Sequence, residues 1–348
     1  MGVILFLNRI AQQRSFTRQA GELDVSFHLD TKGIMSRFIV ENETVTDTQT
    51  GLMWAKNASL LDFPVSWDEA LNTIKEFNLS DLYGHHDWKL PNRKELFSLI
   101  SHEKINPSMP TGHPFTNIFT GYYWTSSSCA RLPNQAWYIH LGGARVYKGM
   151  KYGSYMVWPV RIAENHNKSR VFQTGQQNCF DESGVIIDCH NTGQDGEFLS
   201  GLHYHKHRFT ENTHFIYDNA TGLTWMKSTN VNKDTVDWKS AFDSVLKMNR
   251  EWKYGYNDWR VPNIVELESL TDLGRHSPAL PADHLFTDVQ DFYWSSTTSM
   301  YDTNYAWVLY TIDGAIGVGH KPLSEFYLWP VRGNKCLLQV RFPEATEP

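Results

Sequence analysis

No stretch of this chain approaches the roughly 20 apolar residues needed to span a bilayer, so nothing in it reads as a membrane-crossing helix. Positive charge is not in excess either. Lys and Arg number 32 against 38 Asp and Glu, a net charge of −6, and whole-molecule attraction to nucleic acid or an anionic membrane is not expected. Cysteine is scarce: four in 348 residues are too few for a disulfide-built scaffold. Cys179 and Cys189 nevertheless bracket FDESGVIID, two short arms around a Ser-Gly turn, and hairpin pairing would bring them within bridging distance. Enzyme signatures are missing as well, with no GxSxG, HExxH, P-loop or dinucleotide fingerprint. At the amino terminus, MGVILFLNRIAQQRSFTR has an apolar core only from Val3 to Leu7, with no small-residue cleavage site behind it. It reads as a short strand or docking segment, which by that criterion places the protein in the cytoplasm. A Cys179–Cys189 bridge would instead require an oxidising compartment.

What the chain has in plenty is aromatic residues, 14% of the total with 13 Trp, and it has them in duplicate. TGLMW at 50–54 returns as TGLTW at 221–225, and DWKLPN at 87–92 returns as DWRVPN at 258–263, both 171 residues on. YWTSS at 123–127 and AWY at 136–138 return 170 residues on as YWSS and AWV, and WPVR at 158–161 recurs at 329–332. Register held over about a hundred residues means a duplicated domain. Trp at fixed repeat positions is expected in the core, which predicts burial of Trp54 with Trp225, Trp88 with Trp259, and Trp124 with Trp294.

Each copy carries the same order of elements. FIVENETVTDTQTGLMW alternates around a Thr-Gly turn as a hairpin. In SWDEALNTIKEFN, Ser66 and Glu69 form a capping box, and Trp67, Ala70, Leu71, Ile74 and Phe77 fall on one helical face. Asp237 caps the second copy's helix, with Trp238, Ala241, Phe242 and Val245 on the corresponding face. A second helix follows LPN, capped by Asn92 with Glu95, and by Asn263 with Glu266 in the repeat. A long loop and short strands at YYWTSS, QAWYIHL, ARVYK and MVWPVR close the unit. YWTSS reads as a scaffold strand with alternate residues facing the core. The expected organisation is an α+β chain: an amino-terminal segment 1–37, a domain at 38–164, a linker with its own hairpin at 165–206, a second domain at 207–334, and a tail at 335–348.

Repetition marks the frame, so differences between the copies are where function is sought. Residues 125–162 hold Arg131, Arg145, Lys148, Lys151 and Arg161 and no acid, a charge of +5; the counterpart 295–332 sums to −1. Tyr138, Tyr147, Tyr152 and Tyr155 interleave with those cations. Basic groups pair with sulfate or carboxylate and Tyr stacks on rings, so Arg131, Arg145, Tyr147, Lys148, Lys151 and Tyr152 form a candidate face for a glycan or other anionic ligand. The bland alternatives are a solvated surface, or a seam against the acidic second domain. HYHKH sets His203, His205 and His207 at period two, but no carboxylate or Cys stands at helpful spacing, and a metal site is not assigned.

The strings TGLMW, DWKLPN, YWTSS, AWY and WPVR, in this order, resemble the Lcl C-terminal-like domain family, twice over. The linker pattern C-F-D-x-x-G-x-x-x-x-C followed by TGQDG is similar to a segment found beside such domains in bacterial envelope proteins. The resemblance implies a C-type-lectin-like fold, also used by formylglycine-generating enzymes and by the variable proteins of diversity-generating retroelements. It implies roles in adhesion and ligand display, supplies no catalytic residues, and would bring calcium in only by fold resemblance. Its members usually look secreted, against the absent signal here. Cys129, directly after TSSS, lies where formylglycine-generating enzymes carry reactive cysteines, yet no second cysteine is near it and a buried, inert thiol is expected. The expectation is therefore a non-catalytic ligand-binding protein. The alternatives are a protein-docking subunit of an intracellular bacterial complex and, more remotely, a formylglycine-generating-like enzyme.

Overall fold

The computed structural model describes residues 36–164, 166, 168–204 and 207–333. The segment Val3–Leu7, the tail 335–348 and His205 lie outside them. The first domain runs β1 (Phe38–Glu41), β2 (Thr44–Asp47), β3 (Leu52–Ala55), α1 (Trp67–Leu79), α2 (Arg93–Phe97), β4 (Tyr122–Cys129), β5 (Leu132–His140), β6 (Arg145–Met150) and β7 (Val160–Ile162). The linker adds β8 (Cys179–Phe180), β9 (Ile186–Ile187) and α3 (Asp195–Phe198). The second domain repeats the first as β10 (Phe209–Glu211), β11 (Phe215–Asp218), β12 (Leu223–Met226), α4 (Trp238–Arg250), α5 (Ile264–Ser269), β13 (Phe292–Thr298), β14 (Tyr305–Tyr310), β15 (Ala315–His320) and β16 (Val331–Arg332). This is α+β architecture in two tandem domains.

The expected amino-terminal hairpin is a three-stranded meander, because Asn42, at φ 53°, makes a second tight turn before the Thr-Gly one. The helix starts fall where the capping residues put them. Ser66 with Glu69, Asn92 with Glu95 and Asn263 with Glu266 are complete capping boxes, and Asp237 accepts from Ser240.

Why Trp recurs is now physical. Trp54, Trp88 and Trp124, with counterparts Trp225, Trp259 and Trp294, are all 2% exposed or less. Most do more than fill space. The Trp124 and Trp294 indoles donate to Val65 O and Val236 O, and those of Trp88 and Trp259 to Leu82 O and Lys253 O. Each ring therefore removes apolar area from water and satisfies a loop carbonyl in one residue. Ion pairs repeat in the same register: Arg37–Asp47 with Arg208–Asp218, and Arg161–Asp87 with Arg332–Asp258.

The two domains join edge to edge. One six-stranded sheet runs β13-β14-β15-β6-β5-β4, and β15 meets β6 at the pair Ile316–Val146. Those residues are 170 apart, hence equivalent, so the join has pseudo-twofold symmetry. Side chains across it do not. Arg93, fully buried, donates to Gly314 O at 2.6 Å and to Glu268 at 3.0 Å and lies over the Trp137 ring. His102 packs edge-on to Trp307, and burial pulls its pKa down to about 3, so it is neutral.

The linker lies against the first domain. Gln176 clamps Ser128 through both amide atoms, and Gln194 clamps Phe180 in the same way. Cys179 and Cys189 are disulfide-bonded with Cα atoms 5.2 Å apart. This cover corrects the alternation expected of YWTSS: every residue from Tyr123 to Cys129 is buried, because the linker seals the strand's other side. In the second domain, where no such cover is present among the described residues, the counterpart strand is half-buried at its end.

Asp195, at the start of α3, accepts from the Ser127 hydroxyl and from Thr174 at 2.7 Å. Burial lifts its pKa to about 6, against ~3.9 for an unfolded Asp. The native state thus holds this proton more tightly, so the contribution is full below ~pH 4 and is lost as pH rises through 6, a swing on the order of 2–3 kcal/mol. Asp195→Asn keeps an accepting oxygen and removes the charge. Its stability relative to the parent should rise between pH 4.5 and 7.5, read from urea midpoints; an identical difference at both pH values would contradict the assignment.

Candidate functional site

The basic candidates come from three neighbouring segments. Arg131 follows β4 in the turn to β5, and β6 carries Arg145 and Tyr147 in alternation with buried Val146 and with Lys148. Strand alternation puts Arg145 and Tyr147 on one face, and the Arg145 guanidinium lies 4.6 Å from the Tyr147 ring. Because β6 is joined to β15, this face does not stand alone on the first domain. It forms one wall of a cleft of about 810 Å³ across the seam, with the other wall from the second domain.

The cleft straddles the pseudo-twofold join, and equivalent positions face it with different chemistry. Arg131 lines it, and so does its counterpart Tyr301; His140 is answered by Tyr310, Tyr147 by Gly317 and Lys148 by Val318. Tyr305 and Trp307 complete the aromatic lining. The basic side thus belongs to the first domain and much of the aromatic side to the second. Burial and the neighbouring Arg145 hold the His140 pKa below its ordinary value, so it is a neutral hydrogen-bonding group at pH 7. Arg131 and Arg145 are exposed, and Asp302 is the exposed acid opposite.

Lys148 is placed differently. Its ammonium pairs with Asp313 of the second domain, and both side chains are nearly fully buried. It also lies over the Tyr147 ring at 4.4 Å. Here the seam alternative describes the residue: Lys148 ties the cleft floor together.

Lys151 and Tyr152 leave the candidate set. Lys151 is 1% exposed. Its ammonium lies 4.1 Å from the centre of the Trp67 ring and donates to Phe180 O and Asp181 O of the linker, both at 2.9 Å. Burial brings its pKa down to about 8. Lys321 repeats the arrangement over Trp238, also at 4.1 Å, so this lysine is frame. Tyr152 is 75% exposed beyond the cleft.

Cys129, His203 and His207 lie away from the cleft lining. Cys129 is fully buried and burial raises its thiol pKa, the opposite of an activated nucleophile. His203 and His207 are exposed, and no cluster of three or more metal-ligating side chains occurs among the described residues. No described helix is long and apolar enough to cross a membrane. Sequence reasoning missed the second wall. The signal was present at Tyr301, where the frame exchanges Arg131 for an aromatic, but only the joined sheet brings the two positions to one cleft.

Comparison with protein families finds one model, the Lcl C-terminal domain, matching twice, at residues 43–161 and 214–332. Comparison with curated proteins finds no match.

Proposed function

We propose a ligand-binding role that starts from one premise: the chain belongs to the Lcl C-terminal domain family, in two tandem copies. The protein is a non-catalytic receptor that takes a glycan bearing sulfate or carboxylate into the cleft between its domains. The observation that carries this is the lining: Tyr147, Tyr301 and Tyr305 supply aromatic surface over the buried Trp307, while Arg131 and Arg145 supply exposed guanidinium forks. Aromatic surface receives the apolar faces of sugar rings, and a guanidinium pairs an anionic substituent through two parallel hydrogen bonds. The C-type-lectin-like fold implied by the family resemblance agrees with such a role. Protein docking, the second reading, draws support from another face, the half-exposed helix α4.

The informative variant is Arg145→Glu with Tyr305→Ala, which leaves Lys148 and the seam intact. Binding of sulfated or uronic-acid oligosaccharides on a glycan array should fall to background. The parent's binding should weaken steeply with salt, since the Debye length is about 8 Å at physiological ionic strength. Array binding that survives the double substitution would place the ligand elsewhere.

A further inference from the structure

Helix α1 of the first domain and helix α4 of the second are equivalent, yet only one is covered. Trp67, Leu71 and Lys75, at i, i+4 and i+8 of α1, line one wall of a groove whose other wall is the linker hairpin, with Phe180, Asp181, Glu182 and Ile187. Trp67 and Leu71 are buried there, and Gly193 packs against Leu71. The corresponding stripe on α4 is Trp238, Phe242 and Leu246. Trp238 and Phe242 are half-buried, their rings 4.5 Å apart, and Leu246 is 55% exposed. Trp238 and Phe242 pack their inner sides on the second domain's core, so the apolar area left open to water is the outer side of the stripe, ending at Leu246.

The electrostatics differ in the same direction. Lys151, in the covered groove, is flanked by Asp181, Glu182 and Asp68 and gives its protons to two hairpin carbonyls. Lys321 sits over Trp238 in the same pose but donates only to Thr298, and no carboxylate pairs with it among the described residues. Where the first groove has Asp68, the second has Lys239, which forms an exposed i,i+4 pair with Asp243. Over the whole helices the difference is clear: Asp68, Glu69, Lys75 and Glu76 sum to −2 on α1, and Lys239, Asp243, Lys247 and Arg250 sum to +2 on α4, so the open side is the more positive of the two. The hairpin that covers the α1 side, CFDESGVIIDC, carries three acids and no base.

We infer that the α4 groove is a docking site for an acidic, disulfide-closed hairpin on a separate protein, held as the linker hairpin is held on the first domain. The first domain shows the chemistry of the occupant: two consecutive carbonyls for the lysine ammonium, an aromatic or aliphatic side chain for the stripe, and carboxylates beside the lysine. This site is separate from the cleft and does not depend on what the cleft binds.

The probe is the oxidised peptide of residues 179–189, fluorescently labelled and titrated into the full chain by anisotropy. Saturable binding is expected, weakened at least tenfold by Lys321→Glu and by Leu246→Asp, and unchanged by Arg145→Glu in the cleft. Leu246 is exposed, so its variant folds even if Lys321→Glu does not. Absence of saturable binding, or binding indifferent to both α4 variants, would overturn the inference. So would two other results: doubling of mass in sedimentation that Leu246→Asp abolishes, which assigns the groove to a second copy, or binding seen only after truncation at residue 333, which assigns it to the chain's own tail.

Discussion

Arg93→Ile should destabilise the protein by about 3–5 kcal/mol, the usual cost of removing one partner from a buried ion pair. The loss comes from Glu268, left buried at the seam without its guanidinium, and from Gly314 O and Thr271, which lose a donor. The positions equivalent to Arg93 and Glu268 are Ile264 and Phe97, both buried. The seam therefore already contains an apolar version of the same pair of positions. Arg93→Ile combined with Glu268→Phe should recover most of the loss, because no charge is then stranded. A double-mutant cycle from urea midpoints reads the coupling directly. Additive losses would show that the pair does not act as a unit.

Lys151→Met should cost about 2–4 kcal/mol and release the linker hairpin, whereas Lys321→Met should cost under ~1 kcal/mol. The residue type, the stacking Trp and the 4.1 Å distance are the same in both copies; only the cover differs. Losing the Lys151 ammonium removes two charge-assisted hydrogen bonds to the hairpin, although Asp181 O keeps the Gly184 N–H and Phe180 O keeps Gln194. Hydrogen exchange should therefore quicken in residues 179–198 of the Lys151 variant and nowhere in the Lys321 variant. Equal costs in both would mean that the cation–π stack, and not the hairpin, carries the energy.

The frame of this fold was legible because it is written twice. Caps at Ser66, Asn92, Asp237 and Asn263 and the buried indoles of Trp54, Trp88 and Trp124 follow from local pattern, and the structure has them in place. Lys151 shows how the same rule identifies a scaffold residue. A lysine recurring at Lys321 in register belongs to the frame, and its positive charge made it look like a ligand contact. Arg131, Arg145 and Lys148 do not recur, and all three line the cleft. The cleft itself was not legible. Which strand edge of one domain meets which edge of the other depends on surfaces far apart in sequence, and neither β6 nor β15 is marked as an edge by its residues. Burial on both sides of YWTSS escaped for a related reason, since the linker residues that seal it, Gln176 and Asp195, lie 48 and 68 residues beyond their partners Ser128 and Ser127.

The pairing of Val146 with Ile316 has one more consequence. Equivalent strands joined about a twofold are the geometry of a homodimer, here with both subunits on one polypeptide. In a homodimer every substitution appears on both sides of the axis, so an arginine placed at position 93 would need its glutamate partner twice over, and a basic wall would be opposed by another basic wall. Covalent linkage lifts that restriction and replaces dependence on protein concentration with an effective concentration set by the tether. Lys148 can then meet Asp313 while their counterparts remain Val318 and Gly143. Symmetry-breaking of this kind gives the cleft a cationic half and an aromatic half, a combination that two identical chains related by that axis cannot present to one ligand.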